Sequence, residues 1–249
     1  IRTRIPFFLY KEGILKDMSA IVPAILPTSR QDLEDKLMRL TGLVTAVQVD
    51  IVDGRFVVPA TWPYRNPANE AHGPSGDTFP YLGQISYEVD LMVEEPEKVI
   101  RHWIEAGATR IVIHAETTRM LPKLMSELAR TYGHDKDFAP ELLSFGLAIN
   151  VSTPLALIEP FLHQCDFVQF MGIARIGKQG EPFDKSVLAK ISAFRKKYPD
   201  MQLQVDGGVS PETAPALLQA GVSRLVVGSD LWKAPDLPTE LNKLHCLVQ

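Results

Sequence analysis

Short apolar segments alternate along the chain with longer segments in which apolar residues recur every three or four positions. The apolar segments have the length of buried strands, and the periodic ones have the length of amphipathic helices. Strands are predicted at residues 20–26, 46–50, 85–92, 110–114, 143–150, 167–171, 202–206 and 224–228. Helices are predicted at residues 30–40, 96–106, 121–132, 154–162, 185–197, 211–220 and 238–247.

This alternation predicts a parallel sheet covered by helices, because nearly continuous apolar strands need burial on both faces. Eight strands in 249 residues predict an α/β protein, a single (β/α)8 barrel. We assign residues 18–249 to the barrel and residues 1–17 to an N-terminal extension outside it. Residues 54–84 are rich in Pro, Gly and Asn and predict a long loop, with at most a short helix at 78–82.

Composition narrows the class of protein. The chain is 45% hydrophobic and 22% charged, with a net charge of −4 and no long basic run, which argues against a nucleic-acid partner. No segment has the length of a membrane span, so no membrane partner is expected. Cys165 and Cys246 lie far apart in the sequence and have no metal-ligand spacing, so we expect a reduced, cytoplasmic protein.

Polar residues mark the C-terminal ends of several predicted strands, which is where barrel enzymes carry their active sites. These residues are Gln48, Asp50, Asp90, His114, Glu116, Asn150 and Asp206. Three carboxylates meeting at one mouth repel one another, so a cation or a shared proton is expected among them. Because strands two and seven are three positions apart around the ring, Asp50 and Asp206 are placed to flank a substrate.

Small residues follow strands seven and eight. Gly207 and Gly208 end one of these strands, and Gly228 and Ser229 end the other. Glycine lets the backbone approach a ligand closely and leaves N–H groups free to bind an anion. The loops after strands seven and eight of such barrels often hold a phosphate, so a small phosphorylated ligand is expected.

Two acids beside a phosphorylated ligand suit the inversion of a carbon next to a carbonyl. One group removes a proton from one face of the carbon, and the other returns a proton to the opposite face. The intermediate is an enediolate, whose developing negative charge needs a metal ion or directed hydrogen bonds.

Several stretches of the chain resemble the ribulose-phosphate 3-epimerase family across roughly residues 20–235. The stretches that carry the resemblance are 22–26 (VPAIL), 49–57 (VDIVDGRFV), 91–93 (LMV) with Pro96, 112–116 (VIHAE), 148–150 (AIN) with Thr153 and Pro154, 205–208 (VDGG), 211–214 (PETA), and 228–229 (GS) through 234–236 (APD). A lysine two residues after Asp50, typical of related decarboxylating barrels, is replaced by Val52.

The resemblance implies roles for particular residues. Asp50 and Asp206 match the paired acid/base groups, and the glycines at 207, 208 and 228 match the phosphate site together with Ser229. Met92 and Met171 match methionines that line the family's pocket. The loop after strand six, residues 172–183, adds Gly180 and two cations, Arg175 and Lys178, as expected substrate contacts.

The metal site departs from the family pattern. The family binds a divalent ion with two histidines and the two catalytic aspartates, whereas Gln48 and Asp90 stand at the histidine positions here. The candidate metal ligands are therefore Asp50, Asp90 and Asp206, with Gln48 as a doubtful fourth. Oxygen ligands favour Mg²⁺ or Mn²⁺ over zinc or iron. The alternative is a site that works with no metal.

Three hypotheses follow. The first is an epimerase that inverts C3 of a phosphorylated ketose of the ribulose 5-phosphate or xylulose 5-phosphate type. The second keeps the barrel and the phosphate site but acts on a different sugar phosphate, because Pro27 replaces the family's serine and the loop at 172–183 is altered. The third is a catalytically silent sugar-phosphate-binding protein. A homo-oligomer is implied by the resemblance only.

Overall fold

The computed structural model describes residues 20–65, 78–133 and 143–248. The predicted N-terminal extension, residues 1–17, lies outside the described residues, as does the middle of the long loop, residues 66–77. The assignment of those seventeen residues to an extension therefore stays a prediction.

Eight parallel strands form a closed barrel in which each strand pairs with the next and β8 pairs with β1. The strands are β1 Ile21–Ile25, β2 Ala46–Val52, β3 Ser86–Met92, β4 Ala108–His114, β5 Ser144–Ile149, β6 Phe167–Met171, β7 Gln202–Asp206 and β8 Arg224–Val227. All eight lie where the apolar segments predict them, and the single (β/α)8 barrel is confirmed.

Helices follow most strands. The α-helices are α1 Arg30–Leu40, α2 Ile100–Glu105, α3 Leu121–Leu128, α4 Ser186–Lys197, α5 Ala214–Ala220, α6 Ser229–Lys233 and α7 Leu237–Leu247. Three short 3₁₀ helices, Pro96–Lys98, Leu155–Leu157 and Glu159–Gln164, and one π-helix, Ala129–Gly133, complete the described helical structure.

Helix α1 shows why the periodic segments fold as predicted. Ser29 has extended backbone angles, and its side chain accepts a hydrogen bond from the N–H of Asp32, which caps the helix. Leu33, Leu37 and Leu40 fall on one face and are buried. The helix therefore covers the outside of the barrel with a single apolar stripe.

The predicted α-helix at 154–162 is wrong, because the structure has two 3₁₀ helices there. Pro160 lies in the middle of that segment and has no N–H to continue an α-helix. The helix predicted from residue 211 begins instead at Ala214, so that Pro215 falls in the first turn, where a missing N–H costs least.

Other boundaries also differ from the prediction. The segment at 96–106 is a 3₁₀ turn followed by α2, with a break at Val99, and α3 ends at Leu128 in a π-helical turn. Residues 80–83 form turns and not a helix. Helix α6 was not predicted from the sequence, because the residues after β8 showed only a phosphate-binding pattern.

The barrel has an apolar outside and a largely polar inside. Between strands and helices lies one continuous core that includes Leu37, Trp103, Phe170 and Phe194. The interior holds only small apolar clusters, such as Val22, Ala24 and Val226, and the remaining inward positions carry polar side chains. Among the described residues, no helix has the length and hydrophobicity that crossing a membrane would require.

Candidate active site

Three aspartates meet inside the C-terminal end of the barrel. Asp50 and Asp90 are register partners on β2 and β3, and Asp206 ends β7 beside Met171 of β6. All three are buried, and one oxygen from each lies within 4.8 Å of the others. We call Asp50, Asp90 and Asp206 the aspartate triad.

Two glutamine amides contact the triad from inside the barrel. Nε2 of Gln48 donates to Oδ1 of Asp50 at 2.8 Å and to Oδ2 of Asp206 at 3.0 Å. Nε2 of Gln169 donates to Oδ2 of Asp90 at 2.9 Å. Gln48 therefore lies between the two candidate acid/base groups.

Burial and like charge make Asp50 and Asp206 reluctant to ionise. Burial is the largest cause that raises the pKa of Asp50, and the charges of Asp206 and Asp90 raise it further, well above its usual range. The pKa of Asp206 rises to about 7, mainly through burial and then through Asp90. The site therefore favours retention of a proton at neutral pH.

His114 is the one basic side chain that faces the triad within the described part of the chain. Its Nε2 lies 3.1 Å from Oδ1 of Asp90, and its side chain is fully buried. Burial is the largest single cause and lowers the pKa of His114, but Asp90, Glu116 and Asp206 together raise it more, so the net shift is upward. The sequence places His114 at the C-terminal end of strand four, and the structure buries it there inside the barrel.

A second ionised group lies deeper in the barrel. Oε2 of Glu88 is 2.7 Å from Nε of Arg110 and 2.5 Å from Nη1 of Arg224. We call Glu88, Arg110 and Arg224 the charged layer. Burial raises the pKa of Glu88, but the two arginines lower it more. Burial lowers the pKa of Arg224 to about 10, which leaves it charged at neutral pH.

Gln204 connects the charged layer to Gln48 and Gln169 through hydrogen bonds. Nη1 of Arg224 donates to Oε1 of Gln204 at 2.6 Å, and Nε2 of Gln204 donates to Oε1 of Glu88 at 2.6 Å. The same Nε2 is 2.5 Å from Oε1 of Gln169 and 3.3 Å from Oε1 of Gln48. Hydrogen bonds thus run without a break from β8 to the triad.

Sequence reasoning missed five polar residues of the barrel interior: Glu88, Arg110, Gln169, Gln204 and Arg224. A signal was present: Glu88 and Gln204 each stand two residues before an aspartate of the triad, as Gln48 does. Residues two apart on a strand face the same side, so a polar residue at such a position also faces the barrel interior.

A cavity lies above the triad. Asp50 and Asp206 line its floor, as do the predicted pocket residues Met92 and Met171. The predicted phosphate-site residues Gly207, Gly208, Gly228 and Ser229 also line it. Gly208 has φ of +68°, and a Cβ there would lie 2.8 Å from the backbone of Phe183, so only glycine fits.

The loop at 172–183 folds across the cavity. An antiparallel bridge between Ile173 and Phe183 closes its base, and Lys178 and Gly180 line the cavity. Arg175 does not line it: this side chain is 74% exposed and pairs with Glu181 at 2.9 Å. The structure thus brings Lys178, but not Arg175, to the other predicted site residues.

One wall of the cavity is apolar. Val52, Met92 and Met171 at the strand ends pack with Ile173 and Ile176 of the loop. Phe56 and Val57, from the loop after β2, pack against the same cluster. Thr61 holds that second loop in place, because its Oγ1 accepts a hydrogen bond from the N–H of Val52 at 2.8 Å.

The donor set fits a hard divalent cation in part. The triad offers three carboxylates whose oxygens are close enough to share one ion, and carboxylates are ligands that Mg²⁺ and Mn²⁺ accept. Gln48 does not fit as a fourth ligand, because it turns its NH₂ group toward Asp50 and Asp206 and its oxygen toward Gln204. The triad could therefore hold a metal without help from the amide.

Comparison of the whole chain with solved structures supports the fold. A 3-hexulose-6-phosphate synthase from Salmonella typhimurium superposes with a TM-score of 0.62 at 13% identity, covering 92% of this chain and 98% of the other. KGPDC from Streptococcus mutans gives a TM-score of 0.61 at 9% identity, covering 92% of this chain and 96% of the other. At these identities the likeness concerns the fold alone.

Comparison of sequences identifies the family. Ribulose-phosphate 3-epimerase from Synechocystis is 32% identical, covering 87% of this chain and 88% of the relative. The enzyme of the same name from Schizosaccharomyces pombe is 30% identical, covering 86% and 87%. A profile of the ribulose-phosphate 3 epimerase family matches residues 20–232, and the chain therefore belongs to this family of isomerases, as its motifs predict.

Proposed function

We propose that the protein is an epimerase that inverts C3 of a phosphorylated ketose of the ribulose 5-phosphate or xylulose 5-phosphate type. The observation that carries the proposal is the meeting of Asp50 and Asp206 at the floor of one cavity, with oxygens within 4.8 Å. Curated relatives named as ribulose-phosphate 3-epimerases support the same reaction.

The two aspartates act as the pair of acid/base groups. Epimerisation needs one of them ionised, to remove the proton from C3, and the other protonated, to return a proton on the opposite face. A pKa of about 7 for Asp206 and a raised pKa for Asp50 support this division at neutral pH. After one turnover the two groups have exchanged protonation states, so the site is ready for the reverse reaction.

The phosphate of the substrate binds where the loops after β7 and β8 line the cavity, next to Asp206. The backbone N–H groups at 207–208 and 228–229 supply neutral donors, and glycine allows the close approach. Lys178 supplies a positive charge from the overlying loop, and Gly180 lines the same region. Arg175 reaches a substrate only if its ion pair with Glu181 opens.

The aspartate triad would hold a divalent cation, with Mg²⁺ or Mn²⁺ favoured over zinc or iron because all the ligands are hard oxygens. Such a cation supplies Lewis-acid stabilisation of the enediolate oxygens. The alternative is a site that relies on the proton retained by the triad. Gln48 serves either case by holding one oxygen of Asp50 and one of Asp206.

Solvent deuterium exchange at C3 of ribulose 5-phosphate tests the proposal. Wild-type protein is expected to incorporate deuterium, and Asp50→Asn and Asp206→Asn are expected to lose exchange by about 1,000-fold or more. Asp200→Asn is the matched control, since Asp200 is an exposed carboxylate at the opposite end of β7. Absence of exchange in wild type with Mg²⁺, Mn²⁺ and chelator alike would contradict the proposal.

Two alternatives keep the same cavity. Lys178, which lines the cavity from the altered loop, favours a different sugar phosphate as substrate. The turn of the Gln48 NH₂ toward the carboxylates favours a protein that binds sugar phosphates without turnover. A thermal-shift panel of pentose and hexose phosphates separates the first from the leading proposal, and measurable epimerisation rejects the second.

A further inference from the structure

The barrel interior contains a branched chain of amide groups that ends at all three aspartates of the triad. We propose that Gln204 is a positioning residue: it fixes Gln48 and Gln169 so that both turn NH₂ groups, and not carbonyl oxygens, toward the triad. The catalytic consequence of this arrangement rests on the proposed epimerase function, whereas the arrangement itself does not.

Gln204 has only one favourable orientation. Its Oε1 faces Nη1 of Arg224 at 2.6 Å, and its Nε2 faces Oε1 of Glu88 at 2.6 Å. A guanidinium only donates hydrogen bonds, and an ionised carboxylate only accepts them. Rotation of the amide by 180° would set donor against donor and acceptor against acceptor, so the charged layer determines which end of Gln204 carries the NH₂.

The orientation of Gln204 determines the orientations of Gln48 and Gln169, the two glutamines that contact the triad. Nε2 of Gln204 is 2.5 Å from the carbonyl oxygen of Gln169 and 3.3 Å from that of Gln48. An NH₂ group has two hydrogens: one goes to Glu88 and the other to Gln169, and Gln48 shares the second as the weaker partner. Each amide that accepts at one end presents its NH₂ at the other. All three side chains are buried, with exposures of 0%, 0% and 1% for Gln48, Gln169 and Gln204, so bulk water does not replace these partners.

The triad needs these donors because its surroundings offer little positive charge. His114 contacts Asp90, and among the described residues no lysine or arginine forms an ion pair with the triad. Gln48 holds one oxygen of Asp50 and one of Asp206, which leaves the second oxygen of each for the cavity. Carbonyl oxygens in the same places would repel the carboxylates and release them from these positions.

The substitution Gln204→Glu tests the arrangement directly. It keeps the size of the side chain but removes the NH₂, so the amides of Gln48 and Gln169 are expected to turn over and donate downward to Glu88 and the new carboxylate. Side-chain amide NMR signals report this, with assignments from Gln48→Met and Gln169→Met. In wild type both NH₂ groups are expected to be shifted downfield and protected from solvent exchange.

A double variant separates the effect of amide orientation from the effect of an added buried charge. Glu88→Gln combined with Gln204→Glu restores the net charge and leaves Arg224 a carboxylate partner, but position 204 still has no NH₂. We expect the amide signals of Gln48 and Gln169 to stay altered in the double variant. Recovery of the wild-type signals there would overturn the proposal, as would unchanged signals in Gln204→Glu. If the single variant does not fold, Gln204→Met removes the donor without adding charge.

Kinetics give the second readout. We expect kcat for C3 exchange to fall roughly 10- to 100-fold in Gln204→Glu and in the double variant. KM is expected to stay within about twofold, since the phosphate contacts are untouched. Gln219→Glu, the same change at an exposed position of α5, is the control. A rise in KM with unchanged kcat would overturn the positioning role, whereas absence of exchange in wild type would reject the proposed function and leave the NMR test valid.

Discussion

The aspartate triad and the charged layer lie in the same barrel interior and are both buried, yet their ionisation differs. Glu88 has two arginines within 2.7 Å, and its pKa is lowered in spite of burial. Asp50 and Asp206 have no such partners among the described residues, and their pKa values are raised. Burial alone therefore does not decide the charge of a carboxylate here; the neighbouring cations do.

The difference separates a layer with paired charges from one in which like charges face one another. In the charged layer each oxygen of Glu88 has a partner, so the charge of this carboxylate is compensated where it lies. In the triad, like charges face one another and a proton or cation is needed. Uncompensated charge of this kind is typical of functional sites, which carry a cost in stability for the sake of chemistry.

The largest expected effect on stability comes from removing Glu88, the carboxylate of the charged layer. Glu88→Ala leaves two arginines without their buried carboxylate and is expected to lower the free energy of unfolding by about 3–5 kcal/mol. Urea unfolding measures the loss. Glu105→Ala, which breaks an exposed pair with Arg101, is the control and should cost far less, because solvent screens an exposed pair. Equal losses would show that Glu88 contributes no more to stability than one member of an exposed ion pair.

A divalent cation bound by the triad should raise the free energy of unfolding. Mn²⁺ or Mg²⁺ at 100 times its dissociation constant is expected to stabilise the protein by about 2.7 kcal/mol, because it relieves repulsion among three carboxylates. The measurement is a thermal-shift titration after treatment with chelator. Asp90→Asn should abolish the shift, whereas Asp200→Asn should keep it. No shift at any concentration would mean that the triad holds protons in place of metal.

The pH dependence of stability should come from the triad and not from the charged layer. The pKa of Asp206 is about 7 in the folded protein against an ordinary 3.8, so the folded state binds this proton more tightly than the unfolded state. Without metal, the free energy of unfolding should therefore fall as pH rises from about 4 to about 7, by up to roughly 1.4 kcal/mol per pH unit.

Chemical denaturation at pH 5.5 and 7.5 with chelator measures this slope, and Asp206→Asn should reduce it. His114, whose pKa is also raised, adds a decline of the same sign above pH 6.5, the ordinary value. Glu88 has a lowered pKa, so its contribution is lost only as pH falls below about 4.5. A rise in the free energy of unfolding between pH 5.5 and 7.5 would contradict the raised pKa of Asp206.

The smallest effect on stability is expected when Arg110 of the charged layer is replaced, because Glu88 then keeps its other arginine. Arg110 is 17% exposed, whereas Arg224 is 8% exposed and also contacts Gln204. Arg110→Gln leaves Glu88 paired with Arg224 and should cost about 1 kcal/mol in urea unfolding. Arg224→Gln should cost more, since it removes both the partner of Glu88 and the donor to Gln204. The reverse order would show that Arg110 is the main partner of Glu88.

Most of this fold was predictable because each strand can be recognised from its own residues. Each apolar segment is short, ends at a turn or a polar residue, and needs no knowledge of its neighbours. Helices were less predictable where proline decides the local geometry, as at Pro160 and Pro215. The convergence of Asp50, Asp90 and Asp206 also followed from the sequence, since the ends of parallel strands meet at one face of a barrel.

The contacts beneath the triad did not follow from the sequence. Gln204 meets partners on β2, β3, β6 and β8, and its contacts span between 20 and 156 positions of sequence. Which end of an amide donates depends on every partner together, so the roles of Gln48 and Gln169 appear only when the strands are assembled. The sequence accordingly suggested Gln48 as a doubtful ligand, whereas its oxygen is turned away from the triad.

Gly177 meets Val57 where the loop after β6 crosses the loop after β2. A Cβ at position 177 would lie 2.6 Å from Cγ2 of Val57, and the backbone there has φ of +78°. One methyl group at this point would wedge the two loops apart. The close crossing of these two loops thus depends on the absence of a single carbon atom, at a position outside the aspartate triad.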